Sequence, residues 1–292
     1  MGCRFYEKGL RMNQNNEDFA LLHGSMQSIQ RSWTKYGMEA QAAINVSPEL
    51  YYINKSPYEE WIWNKPLLEA IGDINGKNLL ELGCGLGIFS TYLAKKGAIV
   101  FGIDISVEAV KAAKMINELN GTSCHFCEGD IANLPYGCDT FDCVVGVAVL
   151  HHLSKPDVVE TMIQVKKILK NGGKAVFLEP IENSRCFSLF QNLFPAGKKT
   201  SGYYRPSILN RKAWNKYLSE MEDRDMTTQE LKDAGNGFRN VNVSGHGYIT
   251  RLDRVTNNNK AITAMKKFDV IIYSGFPILH KYARNLLVEY NK

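Results

Sequence analysis

Asn78-Leu-Leu-Glu-Leu-Gly-Cys-Gly-Leu-Gly-Ile-Phe-Ser90 is the stretch that decides the fold, because an apolar run leads through three alternate glycines into a helix-forming run. Glycine permits a sharp turn from strand to helix, and it lets a ligand lie against bare backbone amides at the helix N-terminus. Asp104 ends the next apolar run, 21 residues after Gly83. A carboxylate at that point can accept both hydroxyls of a ribose. The pattern therefore predicts a nucleotide-binding turn.

The glycine spacing separates the classes of nucleotide ligand. A dinucleotide fingerprint has glycines at its first, third and sixth positions. The sixth position counted from Gly83 is Ile88, and counted from Gly85 it is Ser90. A nicotinamide- or flavin-dependent oxidoreductase is therefore the weaker hypothesis. On this motif alone, a glycine-rich connection without a ligand remains open.

Strands and helices alternate after the turn. Apolar strands are predicted at 98–105, at 123–131 and from 141 onwards, with a helix at 107–119. The run 165–179 contains the end of a helix, a Gly-Gly turn and a fifth strand, and the last two strands are predicted at 238–243 and 284–290. This alternation predicts a doubly wound α/β sheet with its ligand at the carboxyl ends of the strands.

These motifs, in this order, resemble the class I S-adenosylmethionine-dependent methyltransferases, in particular the small-molecule, type-11-like enzymes. The resemblance is close over 77–180 and looser towards the C-terminus. It implies a seven-stranded Rossmann-like sheet whose last strand is antiparallel, with S-adenosyl-L-methionine as the cofactor. It also implies that Asp104 binds the ribose and Asp130 the adenine amino group. The cofactor-binding candidates are Glu81, Gly83, Cys84, Gly85, Gly87, Asp104, Ile105, Asp130, Ile131, Gly146 and Val147.

Additions are expected on both sides of that core. We expect an N-terminal helical cap at 1–76, the cofactor-binding core at 77–180, an inserted lid or acceptor region at 181–239, and strands completing the sheet at 240–292. The cap has helical patterns at 16–35 and 58–71, with an aromatic patch near the second. In the family, such helices close over cofactor and acceptor. We expect Trp61 and Trp63 to anchor the cap to the sheet, and one tyrosine to reach the site from among Tyr51, Tyr52 and Tyr58.

The insertion contains the most basic stretch of the chain, with six Lys or Arg residues and no acid at 195–217. Its charge could attract an anionic acceptor through Lys199, Tyr203 and Arg205. The alternative is a solvated helix face that is balanced by the acids just downstream. Beyond it, Thr227-Thr-Gln-Glu230 predicts the start of a helix that ends near Gly235.

A histidine pair follows the fourth strand at the carboxyl-end rim. An imidazole is suited to accept a proton from a hydroxyl or acidic carbon at neutral pH. Because adjacent residues point in different directions, we expect one of His151 and His152 to be structural and His152 to serve the site. No acidic cluster follows that strand to hold a divalent ion, which favours metal-independent transfer.

Cysteine usage favours free thiols, since seven cysteines are an odd number in a chain predicted to be cytoplasmic. Cys84 is expected to line the cofactor turn. A zinc quartet of Cys124, Cys127, Cys138 and Cys143 is the weaker hypothesis, because the odd separation of the first two places them on opposite faces of a strand.

Composition is typical of one soluble unit. The chain has 292 residues, of which 45% are hydrophobic, a net charge of +5, and neither a signal-peptide run nor an apolar stretch of ~20 residues. The modest charge, and the absence of an Asn/Asp-Pro-Pro-Tyr/Phe motif, favour a small-molecule acceptor over nucleic acid. The sequence thus predicts O-, C- or N-methylation of a small molecule. The alternatives are an inactive S-adenosylmethionine-binding sensor or scaffold and, more weakly, an NAD(P)-dependent oxidoreductase.

Overall fold

A seven-stranded sheet forms the centre of the protein. The computed structural model describes residues 26–53, 64–180, 226–247, 261, 264–265, 267–269, 283 and 285–292. The strands are β1 Asn78–Leu82, β2 Ile99–Asp104, β3 His125–Glu128, β4 Phe141–Val147, β5 Leu169–Pro180, β6 Asn240–His246 and β7 Asn285–Asn291. Their spatial order is β3-β2-β1-β4-β5-β7-β6.

The pairing confirms the predicted topology. The five strands from β1 to β5 pair in parallel, and β7 lies antiparallel between β5 and β6. The chain order reverses at β1, which has β2 on one side and β4 on the other. In open α/β sheets, ligands bind at the carboxyl ends of the strands at such a switch point.

Helices cover both faces of the sheet. They are α1 Met26–Val46, α2 Asn64–Ile71, α3 Ile88–Lys95, α4 Val107–Leu119, α5 Lys155–Ile168 and α6 Thr228–Ala234, with 3₁₀ turns at Pro48–Tyr51 and Leu150–His152. Helices α1 to α4 pack on one face, and α5 and α6 pack on the other. The strands in the middle of the sheet are buried on both faces, as their continuous apolar runs predict.

Side-chain caps fix the starts of three of these helices. Ser106 accepts a hydrogen bond from the Ala109 N–H at the start of α4, and Ser154 does the same for the Asp157 N–H in α5. Thr227 accepts from the Glu230 N–H, which confirms the predicted start of α6. Each cap satisfies an amide that would have no partner within its helix.

Three element boundaries differ from the sequence prediction. The first helix was predicted to end at Lys35, but α1 continues to Val46; its predicted start lies outside the described residues. Strand β3 ends at Glu128, which pairs with the last residue of β2, so Asp130 lies in the following turn. The predicted Gly-Gly turn is an irregularity within β5, between the pairs Phe141–Leu169 and Cys143–Lys174.

The length of α1 determines which parts of the cap lie near the carboxyl ends of the strands. A helix of 21 residues spans about 30 Å. Gln30 and Gln41 of α1 contact Ile105 and Glu108 at the start of α4, whereas the following 3₁₀ turn lies beside Asn120 at the end of α4. This segment therefore runs from the carboxyl end of the sheet towards the amino end. No helix within the described ranges has both the length and the hydropathy that a membrane span requires.

Candidate active site

The turn after β1 has room for glycine and for nothing larger. Gly83 and Gly85 have φ angles of 63° and 50°, in the left-handed region that side chains disfavour. A Cβ at position 83 would lie 2.5 Å from Cγ2 of Val149, and one at position 85 would lie 3.0 Å from the Trp33 ring. Gly87 then provides the N-cap of α3. The turn therefore places backbone without side chains at a helix N-terminus, with Gly83 partly exposed and Gly85 and Gly87 buried.

Asp104 joins the end of β2 to this turn. One carboxylate oxygen accepts the Gly85 N–H at 2.8 Å, and the other accepts the Ser106 N–H at 2.9 Å. Burial raises the pKa of Asp104, and these N–H groups act in the opposite direction. A carboxylate offers about four lone-pair sites, and the backbone N–H groups do not use all of them, so capacity remains for a ribose hydroxyl.

Glu81 is a second buried acid beside the turn. Its carboxylate accepts a hydrogen bond from the Ser90 hydroxyl at 2.5 Å, which connects β1 to α3. Burial raises the pKa of Glu81 to about 8, and the nearby charge of Asp104 adds a smaller effect in the same direction. The acid is therefore largely protonated at neutral pH when no ligand is bound.

Cys84 is buried within the turn, and its N–H donates to the Ile103 carbonyl at 3.1 Å. Burial raises the pKa of its thiol well above the ordinary value. Thiolate is the nucleophilic form of cysteine. This environment therefore favours a lining residue over a nucleophile.

The remaining cofactor candidates lie at or near the same edge of the sheet. Asp130 is exposed and accepts the Ala132 N–H at 2.9 Å, whereas its neighbour Ile131 is buried in the core. The Ile105 carbonyl accepts a hydrogen bond from Gln30. Gly146 and Val147 form the carboxyl end of β4.

The histidine pair lies in the 3₁₀ turn that follows β4. His151 is 6% exposed, and its Nδ1 lies 3.0 Å from a carboxylate oxygen of Glu179. His152 is half-buried, and the two imidazole centroids are 3.9 Å apart. The His151 side chain is therefore packed in the protein interior. The role of His152 as the base stays a prediction.

Helix α1 supplies three residues that the sequence analysis missed. Gln30 donates to the Ile105 carbonyl at 3.1 Å, and the Thr34 and Ser106 hydroxyls are 3.3 Å apart. Trp33 lies over Gly85. The helical spacing of Trp33 with Tyr36, Ala40 and Ile44 signals a buried face. The sequence gives no signal for which surface that face covers.

The structure does not bring Tyr51 or Tyr52 to this site. Asn120, the C-cap of α4, donates to the Tyr51 carbonyl at 2.9 Å, and this end of α4 lies at the amino end of the sheet. The expectation that either tyrosine lines the acceptor site is corrected, because α1 continues past Lys35 and carries the following 3₁₀ turn to that end. The other predicted acceptor or anchor residues lie outside the described residues: Tyr58, Trp61, Trp63, Lys199, Tyr203 and Arg205.

The cysteines of the proposed quartet are dispersed. Cys124 packs with the α1–α4 face and Cys127 with the α5–α6 face, which confirms their predicted opposite orientations. Cys138 is exposed and Cys143 is buried. Within the described ranges, no group of three or more His, Cys, Asp or Glu side chains could hold a metal ion.

Comparison with known proteins agrees with this geometry. Residues 80–177 match the family model of the methyltransferase domain. The chain is 28% identical over 179 residues to the ubiquinone biosynthesis O-methyltransferase of Coxiella burnetii, covering 59% of this chain and 76% of that enzyme. It is 33% identical over 114 residues to the Haemophilus ducreyi enzyme of the same name, covering 37% and 47%.

Solved structures support the fold. An S-adenosylmethionine-dependent methyltransferase from Mesorhizobium loti aligns with a TM-score of 0.51 at 20% identity, over 80% of this chain and 100% of that one. Phosphoethanolamine N-methyltransferase 2 of Haemonchus contortus, solved with phosphomonomethylethanolamine and S-adenosylhomocysteine, aligns with a TM-score of 0.55 at 14% identity, over 89% of this chain and 59% of that one.

The sheet topology, the glycine turn and the strand-end acid define a Rossmann-like methyltransferase of class I. Residues 80–177 carry the methyltransferase domain of the matched family, and the protein is an S-adenosylmethionine-dependent methyltransferase. Its cofactor is S-adenosyl-L-methionine.

Proposed function

We propose that the enzyme methylates a hydroxyl group of a small-molecule acceptor, with His152 as the base and without a metal ion. The observation that carries this proposal is the position of His152 beside the cofactor turn. Its 3₁₀ turn follows Val149, whose side chain packs against Gly83. A partly exposed imidazole thus lies near the switch point of the sheet, where the cofactor turn also lies.

The residues of the turn hold the cofactor. The backbone at Gly83, Gly85 and Gly87 accommodates it, Asp104 binds the ribose, and Asp130 binds the adenine amino group. When bound, S-adenosylmethionine supplies an electrophilic methyl group on a sulfonium, so the protein mainly has to hold the acceptor in line and close to it. A cationic ligand would in turn stabilise the ionised forms of the buried Glu81 and Asp104.

His152 supplies what a hydroxyl acceptor needs in addition. It removes the hydroxyl proton, and the electron pair left on oxygen makes that atom nucleophilic. An amine that is already neutral, or an ionised acceptor, needs no such base. The names of the relatives in Coxiella burnetii and Haemophilus ducreyi, which are O-methyltransferases, also favour oxygen.

Helix α1 forms the cap of this site. Gln30 and Thr34 contact the segment that follows β2, and Trp33 lies over Gly85 in the turn that follows β1. A closed cap excludes water and restricts the acceptor, as methyl transfer requires.

The basic stretch at 195–217 would add a preference for anionic acceptors, so replacing Lys199 or Arg205 should raise the acceptor KM more than it lowers kcat.

The test is release of S-adenosylhomocysteine from pools of phenols, alcohols, amines and thiols. We expect turnover with a hydroxylated acceptor, and a loss of roughly 10²- to 10⁴-fold in kcat for His152→Ala with unchanged cofactor affinity. His125→Ala is the matched control, because His125 is exposed on the edge strand β3 and should leave kcat unchanged.

Two results would contradict the proposal. Full turnover of a hydroxylated acceptor by His152→Ala between about pH 6 and 8 would rule out His152 as the base. Turnover of amines or thiols alone would rule out a hydroxyl group as the acceptor.

A further inference from the structure

One buried carboxylate accepts hydrogen bonds from the start of the histidine turn, the segment 149–152. Glu179, the penultimate residue of β5, is 0% exposed. Its oxygens accept the N–H groups of Val149 at 3.0 Å, Leu150 at 2.9 Å and His151 at 3.3 Å. The same carboxylate contacts Nδ1 of the His151 ring at 3.0 Å. Four groups from three consecutive residues thus converge on one side chain.

These contacts determine the tautomer of His151. Glu179 already accepts three backbone N–H groups, so we assign its carboxylate as the acceptor for the ring as well, and Nδ1 of His151 as the nitrogen that carries the proton. In the neutral ring, Nε2 is then the acceptor. The ring can no longer flip without breaking a buried hydrogen bond.

The backbone before the turn also has to be held in place. Ala148 has a φ of 54°, a left-handed conformation that is strained for a residue with a Cβ. Its N–H donates to the Leu178 carbonyl, and the next three N–H groups bind Glu179. Such strain persists only where surrounding contacts over-determine the backbone. The end of β5 supplies those contacts.

The held ring lies directly against the proposed base. The centroids of the His151 and His152 rings are 3.9 Å apart, with the planes inclined at 42°. The orientation of His151 therefore defines one wall of the space that the His152 ring can occupy. A shift of about 1 Å in a reacting group can cost roughly 100-fold in rate.

We propose that Glu179 is a positioning residue for methyl transfer: it fixes the turn backbone and the His151 tautomer so that His152 is presented to the acceptor. This inference rests on the proposed function above. Glu179 acts through His151 and the turn, and it does not itself touch the acceptor.

The test compares Glu179→Gln with Glu289→Gln. The first replaces the acceptor-only carboxylate with an amide whose NH₂ group opposes the N–H donors of the turn. The second makes the same change on β7, at a half-buried residue away from the histidine turn. We expect Glu179→Gln to lower kcat by roughly 10- to 100-fold, with the Kd for S-adenosylhomocysteine changed less than about threefold. Glu289→Gln should match the unmodified enzyme in both.

Side-chain ¹⁵N NMR gives a readout that a purely structural role would not change. In the unmodified enzyme, His151 should be the Nδ1–H tautomer, and Glu179→Gln should abolish that preference. The spectrum of the unmodified enzyme stands as a test even if the variant fails to fold. An Nε2–H tautomer for His151 in that spectrum, or a folded Glu179→Gln enzyme with full kcat, would overturn the inference.

The two proposals can fail separately. If His152→Ala lowers kcat and Glu179→Gln does not, only the positioning role is wrong. If His152→Ala retains full kcat, the proposed base is wrong, and a role for Glu179 in presenting it is wrong as well. The tautomer of His151 separates these cases. If His151 is the Nδ1–H tautomer and His152→Ala retains full kcat, the turn geometry stands and only the base is wrong; an Nε2–H tautomer contradicts the turn geometry itself.

Discussion

The carboxylate of Asp104 accepts a hydrogen bond from the Gly85 N–H at 2.8 Å, which ties the end of β2 to the turn after β1. The acid that we propose for the cofactor ribose is thereby fixed beside the glycine turn by the protein itself. Asp104 is only 5% exposed, so a ligand meets a carboxylate that is already desolvated and oriented. Preorganisation of this kind lowers the ordering cost of binding.

Asp104→Ala should weaken S-adenosylhomocysteine binding by more than about tenfold, because charge-assisted hydrogen bonds contribute roughly 1.5–3 kcal/mol each. Calorimetric titration measures the loss. Asp233→Ala, at an exposed acid of α6, is the matched control and should retain the original Kd. An unchanged Kd in folded Asp104→Ala would show that the ribose binds elsewhere.

Gly85→Ala should destabilise the protein more than Gly76→Ala. Both glycines have positive φ, so either alanine costs roughly 1–2 kcal/mol in backbone strain. A Cβ at position 85 also meets the Trp33 ring at 3.0 Å, whereas one at position 76 has nothing within 4 Å. Urea unfolding gives the two free energies.

The Trp33 contact can be isolated by combining substitutions. Adding Trp33→Ala to Gly85→Ala should cost less stability than adding it to Gly76→Ala, because only the first pair relieves a close contact. Equal costs in the two backgrounds would mean that α1 does not lie over the turn.

Glu81 should make stability depend on pH. Burial raises its pKa from 4.5 to about 8, so in that window the folded protein retains a proton that the unfolded chain has released. Folding then takes up a proton, and the contribution of this residue to stability falls as the pH rises through the window. Urea unfolding of the ligand-free enzyme from about pH 5 to 8 should show the decline.

Glu81→Gln should flatten that decline, because the amide does not titrate and can still accept the Ser90 hydroxyl. Glu118→Gln, at an exposed position of α4, should leave the profile as it was. The same slope in all three proteins would exclude a buried, proton-retaining Glu81.

Tyr51→Phe should leave catalysis unchanged. The Tyr51 hydroxyl is buried without a hydrogen-bond partner within the described residues, and burial raises its pKa to about 12. Removing such a group should be neutral or stabilise the fold by up to about 1 kcal/mol. Steady-state kinetics and thermal unfolding check both parts. A large loss of kcat with intact stability would bring Tyr51 back to the acceptor site.

The sequence is most informative where a site is formed by residues that lie close together along the chain. The glycine turn and the acid at the end of β2 are local patterns that predict a nucleotide-binding turn. Together with the later strands and helices they carry the family resemblance, which implied the sheet and the cofactor. Strand β3 was predicted too long because its end is set by pairing: Glu128 faces Asp104, where β2 stops. No local pattern in 123–131 records the length of a neighbouring strand.

Contacts between distant segments account for what the sequence did not show. Trp33 reaches Gly85, and Glu179 reaches the turn at 149–151, only after the sheet and helices have packed. Glu179 looked like the polar end of a strand, and nothing in its own neighbours indicates that it binds three amides. The position of Tyr51 likewise depends on where α1 ends, and helix ends are the least predictable part of a helix.

Calorimetric titration of the unmodified enzyme with S-adenosylmethionine, S-adenosylhomocysteine and NAD tests the central claim most directly. A cofactor site formed by the glycine turn and Asp104 predicts that both adenosyl ligands bind, with Kd values in the micromolar range, and that NAD does not. Micromolar binding of NAD, with no heat from either adenosyl ligand, would contradict the assignment of this site to methyl transfer.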